Sequence, residues 1–326
     1  RNIEATSAEI RRLRLAGCDI IRLAVPDLEA ATALKTICSQ SQIPVIADIH
    51  FDHQLALAAI KNGVHGLRLN PGNIRSEEKV REVAAAALDK GIPIRVGVNA
   101  GSLDPAIKAK HGGVTAAALA ESALAEVHRL EKYGFELIKI AVKAFDIATM
   151  TEAVRIVAGS CDYPLHLGVT ESGLPEEGII RSSIGIGSLL LAGIGDTIRV
   201  SLTGDSADEV MTGIRILKTL GLRESGPVIV SCPTCGRCQI PLQQIAREVK
   251  QRLEGVTAPI LVAVMGCAVN GPGEAEQADF GIAGGKDNGL IFKRGQVVCT
   301  RPADQLIDAL IEEIFKSLQQ ENKDGK

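Results

Sequence analysis

Between about residue 3 and residue 203, short β-branched apolar runs alternate with longer stretches rich in Ala, Leu, Glu and Lys. The runs at 19–25, 44–49, 66–70, 94–98, 137–142, 165–169 and 197–202 have the length of strands. The stretches at 27–39, 53–62, 76–90, 115–132, 147–158, 178–192 and 206–220 read as helices. A strand that is apolar nearly throughout must be covered on both faces, and interleaved helices provide that cover. The expected class is therefore α/β with a parallel sheet. Seven such units, with a helix ahead of the first strand, fall one strand short of a TIM (β/α)8-type barrel. The expectation is such a barrel, with its first strand upstream of Arg1. A doubly wound open sheet is the alternative, and no Gly-x-Gly-x-x-Gly after the first strand supports it.

Polar residues interrupt these strands in a pattern. Side chains at i and i+2 share a face, which pairs Asp48 with His50, Arg68 with Asn70, Arg199 with Ser201 and, one further period on at i+4, His166 with Thr170. Arg95 and Asn99 fall on one face by the same period, as do Lys139 and Lys143, and Arg22 sits mid-strand. In a barrel the shared face is the interior, and chemistry gathers at the C-terminal mouth. A lone strand arginine is more often a paired structural ion. Four arginines and a lysine from five or six strands reverse that reading, because so many cations are costly to bury without an anion. The ligand expected from this lining is small and highly anionic, a phosphate or diphosphate. Glu171 follows Thr170 at a strand end and is a candidate general acid, with a counter-ion role as its alternative. A net charge of −3 argues against a nucleic-acid or membrane-surface partner. No apolar run reaches the roughly 18 residues of a membrane span, and the expected compartment is the cytoplasm. Aromatics are 2% of residues with no Trp, so the core must be aliphatic.

After Gly221 the pattern changes to an α+β module, which sets expected domains at 1–223 and 224–326. Its first two strands, 228–231 and 260–264, each run into a cysteine loop. One is Ser231-Cys-Pro-Thr-Cys-Gly-Arg-Cys238, and the other carries Cys267. C-x2-C spacing in one tight loop, closed by a thiolate from a second, fits a metal or an iron–sulfur cluster, and zinc is equally compatible with the spacing. With eight cysteines in a large chain lacking a secretory leader, reduced thiols are expected rather than disulfides. Cys18, Cys38, Cys161 and Cys299 are scattered and read as small hydrophobes.

Together these segments resemble the 4-hydroxy-3-methylbut-2-enyl diphosphate synthase family of the non-mevalonate isoprenoid pathway. The resemblance rests on Ala47-Asp-Ile-His-Phe51, Arg68-Leu-Asn-Pro-Gly-Asn73, Arg95-Val-Gly-Val-Asn-Ala-Gly-Ser102, Leu167-Gly-Val-Thr-Glu-Ser-Gly173, Gly195-Asp-Thr-Ile-Arg-Val-Ser-Leu202, the Cys232 loop and Val264-Met-Gly-Cys-Ala-Val-Asn-Gly-Pro-Gly-Glu274. It implies a barrel followed by a [4Fe-4S] domain, in a homodimer where one chain's cluster caps the other's barrel. The implied cluster ligands are Cys232, Cys235, Cys267 and Glu274, with Cys238 left as a bystander. The implied reaction is the two-electron reductive ring opening of 2-C-methyl-D-erythritol 2,4-cyclodiphosphate, fed by ferredoxin or flavodoxin. Arg22, Arg68, Asn70, Arg95, Asn99, Lys143, Arg199 and Ser201 would hold the diphosphate. Asp48, His50, Thr170 and Glu171 would lie near the reacting carbons, and Asn270 would approach from the cluster side. The family pattern also leads to an expected Ser where Ala141 stands. A competing reading is a non-redox phosphate enzyme of the pterin-binding-synthase type with a structural zinc module. An iron–sulfur electron carrier is a third, against which the cationic strand lining counts.

Overall fold

The computed structural model describes residues 2–50, 52–69, 74, 76–268, 273 and 275–324. It divides into two compact units, Arg1–Leu220 and Gly221–Lys326. The expected boundary at 223/224 thus moves to Gly221, which takes φ 68° just past a helix end, where glycine has no Cβ to strain the left-handed turn.

The first unit runs α1 (Ile3–Leu15), β1 (Ile21–Ala24), α2 (Leu28–Gln40), β2 (Val45–Ile49), α3 (His53–Lys61), β3 (Gly66–Leu69), α4 (Glu77–Asp89), β4 (Ile94–Asn99), α5 (Pro105–Lys110), α6 (Ala116–Glu131), β5 (Ile138–Lys143), α7 (Ile147–Ala158), β6 (His166–Leu167), α8 (Pro175–Leu191), β7 (Thr197–Ile198) and α9 (Ser206–Thr219). Strands β1 to β5 form one parallel sheet in sequence order. Strands β6 and β7 form a parallel pair, linked to β5 by the bridge Ile140↔Leu165. The helices begin where the sequence places an acceptor. Asp27, Asp52, Asp104, Asp146 and Asp205 each take a first-turn N–H on the side chain, which satisfies a donor the helix cannot.

The core is aliphatic, as the composition requires. Val45, Ala47 and Ile49 of β2, Ile94 and Val96 of β4 and Ile140 of β5 are fully buried. They meet alanines of the covering helices (Ala56, Ala59, Ala84, Ala87, Ala120 and Ala123), whose small side chains let helix and sheet approach closely.

Several expectations change. Strands expected over 165–169 and 197–202 shrink to two residues each, although Arg199 still donates its N–H to Leu167 O. The two backbones also stay close beyond the paired residues: a methyl on Gly168 would lie 2.7 Å from the Arg199 carbonyl oxygen. Helix α8 starts at Pro175, ahead of the expected 178, because proline's fixed φ suits the first helical position. Helix α5 was not expected, although Asp104-Pro105 is a cap followed by proline at the first turn.

The second unit runs β8 (Val228–Ser231), α10 (Leu242–Arg252), β9 (Leu261–Met265), β10 (Phe280–Ala283), β11 (Asn288–Lys293), β12 (Gln296–Pro302) and α11 (Leu306–Asp324). Its sheet order is β12-β11-β10-β9-β8. The β8–β9 and β9–β10 pairs are parallel, and β11 pairs antiparallel with both neighbours. Leu242, Ile245 and Val249 of α10, with Leu306, Leu310 and Ile314 of α11, cover Val262, Val264, Ile282 and Ile291. Because β8 and β9 are adjacent and parallel, with Ser231 opposite Val264, the loops carrying Cys232 and Cys267 leave the sheet side by side.

Candidate active site

Within the first unit, parallel register sets the cations of neighbouring strands beside one another. Asp48 of β2 stands opposite Arg68 of β3, Arg68 opposite Arg95 of β4, and Arg95 opposite Lys139 of β5. Asp48 is buried. Its Oδ1 accepts from Arg68 Nη1 at 3.1 Å, and its Oδ2 lies 3.3 Å from Arg22 Nη1 and 3.7 Å from His50 Nε2. One carboxylate thus holds two guanidiniums from the strands on either side. Gly97 provides the space: a methyl there would lie 3.2 Å from Arg68 Nε. Gly168 does the same for Lys143, whose Nζ would lie 3.1 Å from a methyl at that position. Glycine inside a strand pattern often marks such an approach.

The charge balance of this lining is uneven. Lys143 is buried, and that burial, reinforced by Arg199, Arg95, Arg22 and Arg68, holds its ammonium well below the ordinary lysine range. Burial, then Arg22 and Arg68, lowers Arg95 as well, although a guanidinium keeps its proton at neutral pH. Burial, then Arg95, Lys143, Lys139 and Arg199, keeps His166 well below its usual value, as a neutral imidazole. Its Nδ1 lies 2.8 Å from Thr197 Oγ1. Arg95 Nε and His166 Nε2 are both buried without a hydrogen-bond partner among the described residues. Opposed charge comes from Asp48, with Glu209 acting on Arg22 and Asp196 on Lys139 from further out. Such an excess of positive charge, buried or half-buried, stabilises an anion placed among it.

The loop after β6 brings Thr170 and Glu171 to the same end of the strands. Glu171 is exposed and adopts φ 56°, a left-handed conformation costing a non-glycine residue roughly 1–2 kcal/mol. Strain of this kind concentrates at working sites. Thr203 N donates to Gly173 O at 2.9 Å and ties this loop to the one after β7, where Arg199 and Ser201 lie.

In the second unit, Gly266 N donates to Cys232 Sγ at 3.2 Å across the two loops. Cys235 is exposed, and hydrogen bonds from the backbone N–H and guanidinium of Arg237 pull its thiol below the ordinary range, which favours the ligating thiolate. Cys267, next in sequence to Gly266, is buried. Cys238 turns its Sγ to donate to Ile240 O at 3.3 Å. No three His, Cys, Asp or Glu side chains among the described residues already stand together as a metal-holding group. The donor chemistry nevertheless fits an iron–sulfur cluster. Two adjacent loops present thiols, one sulfur already accepts a backbone N–H, and one thiol is biased toward its thiolate.

Of the residues expected at the site, Asp48, Arg22, Arg68 and His50 are joined by direct contacts. Arg95, Lys143 and Arg199 act on one another through their charges. Asn99 ends β4 opposite Lys143. Asn70, Asn270 and Glu274 lie outside the described residues. His166, which alternation along its strand sets on the lining face, does belong to this lining, with Thr197 as its partner.

Residues 1–214 match the profile of the GcpE TIM-barrel domain, and residues 228–316 that of the GcpE protein C-terminal domain. Among curated proteins, the 4-hydroxy-3-methylbut-2-en-1-yl diphosphate synthase (flavodoxin) of Geobacter sulfurreducens is 54% identical over 322 residues, covering 99% of this chain and 91% of the relative. Its namesakes in Thermodesulfovibrio yellowstonii and Clostridium tetani are each 54% identical, covering 97% and 96% of this chain and 90% of each relative. With both domain profiles matched in order and half the residues shared along nearly the whole length, the chain belongs to the GcpE family of 4-hydroxy-3-methylbut-2-en-1-yl diphosphate synthases.

Proposed function

We infer that the chain opens 2-C-methyl-D-erythritol 2,4-cyclodiphosphate reductively to 4-hydroxy-3-methylbut-2-enyl diphosphate and water, with a [4Fe-4S] cluster and with flavodoxin as electron donor. The observation that carries this is the set of cations, buried Lys143 with half-buried Arg22, Arg68, Arg95 and Arg199, gathered about one bonded carboxylate in a chain of this family. A cyclic diphosphate supplies the missing negative charge. Cys232, Cys235, Cys267 and Glu274 would hold the cluster, in a second unit distinct from the barrel. When bound, the cluster supplies single electrons to the substrate.

The remaining steps fall to side chains. Two electrons enter, the ring C–O bond breaks, and the released oxygen becomes part of an open diphosphate with more negative charge. Arg22, Arg68, Arg95, Arg199 and Lys143 stabilise that charge as it develops. Asp48 keeps the guanidiniums of Arg22 and Arg68 aimed by holding one on each oxygen. The hydroxyl at C3 leaves as water and needs one proton, which we assign to Glu171 on its strained, exposed loop. Replacing Glu171 with Gln should lower turnover more than about tenfold, or ~1.4 kcal/mol, with substrate affinity little changed; turnover within that limit removes the assignment. A homodimer that brings one chain's cluster unit to the other's barrel belongs to this reading.

Lys143 gives the reading a second, independent consequence. Burial and the neighbouring arginines disfavour a charged Lys143 without an anion, and an arriving diphosphate favours it, so binding should raise its proton occupancy. Titration calorimetry with inorganic diphosphate in two buffers of different ionisation enthalpy measures this, and equal heats in both would contradict it. The sign carries over to stability. On unfolding, Lys143 returns to its ordinary value near 10.5, so the unfolded chain binds the extra proton between the lowered value and that one. The anion-free protein should therefore gain stability from this residue as pH rises through that window.

The direct test of the function is anaerobic purification followed by iron and acid-labile sulfide analysis, then turnover of the cyclic diphosphate with reduced flavodoxin. Iron and sulfide near four each per chain, with the linear diphosphate as product, are expected. Zinc without sulfide would overturn the cluster assignment.

A further inference from the structure

The third sulfur of the cysteine loop sits in a contact that the ligand set does not explain. Gly266, the residue before Cys267, is gripped on three sides by the other loop. Its N–H donates to Cys232 Sγ at 3.2 Å, its carbonyl oxygen accepts from Gln239 N at 2.9 Å, and its α-carbon faces Cys238. A methyl on Gly266 would lie 2.6 Å from Cys238 Sγ and 3.3 Å from its Cβ, so only glycine fits against this sulfur. Cys238 is itself fixed at both ends. Its N–H donates to Cys235 O at 3.0 Å and its thiol to Ile240 O at 3.3 Å. It packs with Cys232 and Ile240 against the apolar cluster under α10 and α11.

We propose that Cys238 is a positioning residue of the cysteine loops: packed on Gly266, its sulfur holds the Gly266 N–H on the Cys232 sulfur and keeps the two loops in register. The assignment rests on the reading that these loops bind an iron–sulfur cluster. It assigns Cys238 neither a place among the ligands nor the part of a bystander. Hydrogen bonds to ligating sulfurs tune cluster potential, and groups that orient ligands govern metal retention. Every contact of this latch is made between protein atoms, and it orders one donor on each loop.

The test uses the anaerobically prepared holoprotein carrying Cys238→Ala, Cys238→Ser, Gly266→Ala or the pair Gly266→Ala with Cys238→Ala. Iron and sulfide content of the unsubstituted chain first checks the cluster reading on its own. Given a cluster there, Cys238→Ala should keep full iron and sulfide, shift the midpoint potential, and lose iron to a chelator about tenfold faster. Cys238→Ser, which keeps a donor for Ile240 O, should release iron at a rate between those of the parent and Cys238→Ala. Gly266→Ala should release iron faster still, and removing the sulfur it strikes in the double variant should slow that release again, a non-additivity expected of residues in contact. Release from Cys238→Ala within about twofold of the parent, far below the effect expected of an orienting group, together with an unchanged potential, would overturn the proposal. So would loss of iron and sulfide from Cys238→Ser, which would make the sulfur a ligand.

Discussion

Replacing Cys235 with Ser is expected to give a folded chain that no longer retains four iron and whose turnover falls by at least about a thousandfold, ~4 kcal/mol. The fold should survive because Cys235 is exposed on the loop after β8, where a one-atom change is worth little in packing. Chemistry makes the loss large. A serine hydroxyl keeps its proton at neutral pH, whereas the Cys235 thiol is drawn toward thiolate by the backbone and guanidinium donors of Arg237. Iron ligation needs the deprotonated form. Iron and sulfide analysis alongside circular dichroism checks both halves of the expectation. Cys299→Ser, on the strand β12, serves as the control that should keep its cluster. Full iron in Cys235→Ser would remove this residue from the ligand set.

Asp48→Asn should be the most damaging single change in the barrel. Asp48 is buried and bonded to both Arg68 and Arg22, and breaking a buried pair by removing one partner typically costs about 3–5 kcal/mol. For a unit of this size, that lowers the melting temperature by roughly 6–20 °C. The direction of rescue distinguishes this cause from simple misfit of the amide. With its carboxylate gone, the cationic lining should gain more stability from added inorganic diphosphate than the parent does, because the anion then neutralises charge that Asp48 had held. Thermal unfolding with and without diphosphate measures both effects. An unchanged melting temperature, or equal stabilisation by diphosphate in both proteins, would contradict the account.

Much of the fold was legible because it is written in local periods. Continuous apolar strands and capped helices recur seven times, and the boundaries of β2, β4, β5 and most helices fall within a residue or two of the expectation. The failures are local. Strands β6 and β7 stop early, although Gly168 still lies close to the Arg199 carbonyl. Helix α5 is only six residues long, too short for an apolar period to show. In the site, alternation along a strand placed Arg68, Arg95 and Lys139 on one face, and the register confirms them as cross-strand neighbours. Lys143 is picked out by the same rule, but the lowering of its proton affinity depends on burial and on four arginines contributed by four other parts of the chain.

The sequence by itself determined the α/β class, the face on which the cations lie, the two cysteine loops and, through its motifs, the family. These follow from side-chain alternation, capping residues and ligand spacing, all of which act over a few positions. Tertiary structure decided which carboxylate serves which arginines and which glycines make room for cations. It decided also that the sulfur of Cys238 rests on Gly266. Those are contacts between segments 20 to 34 positions apart, and only strand register and loop packing bring such atoms together.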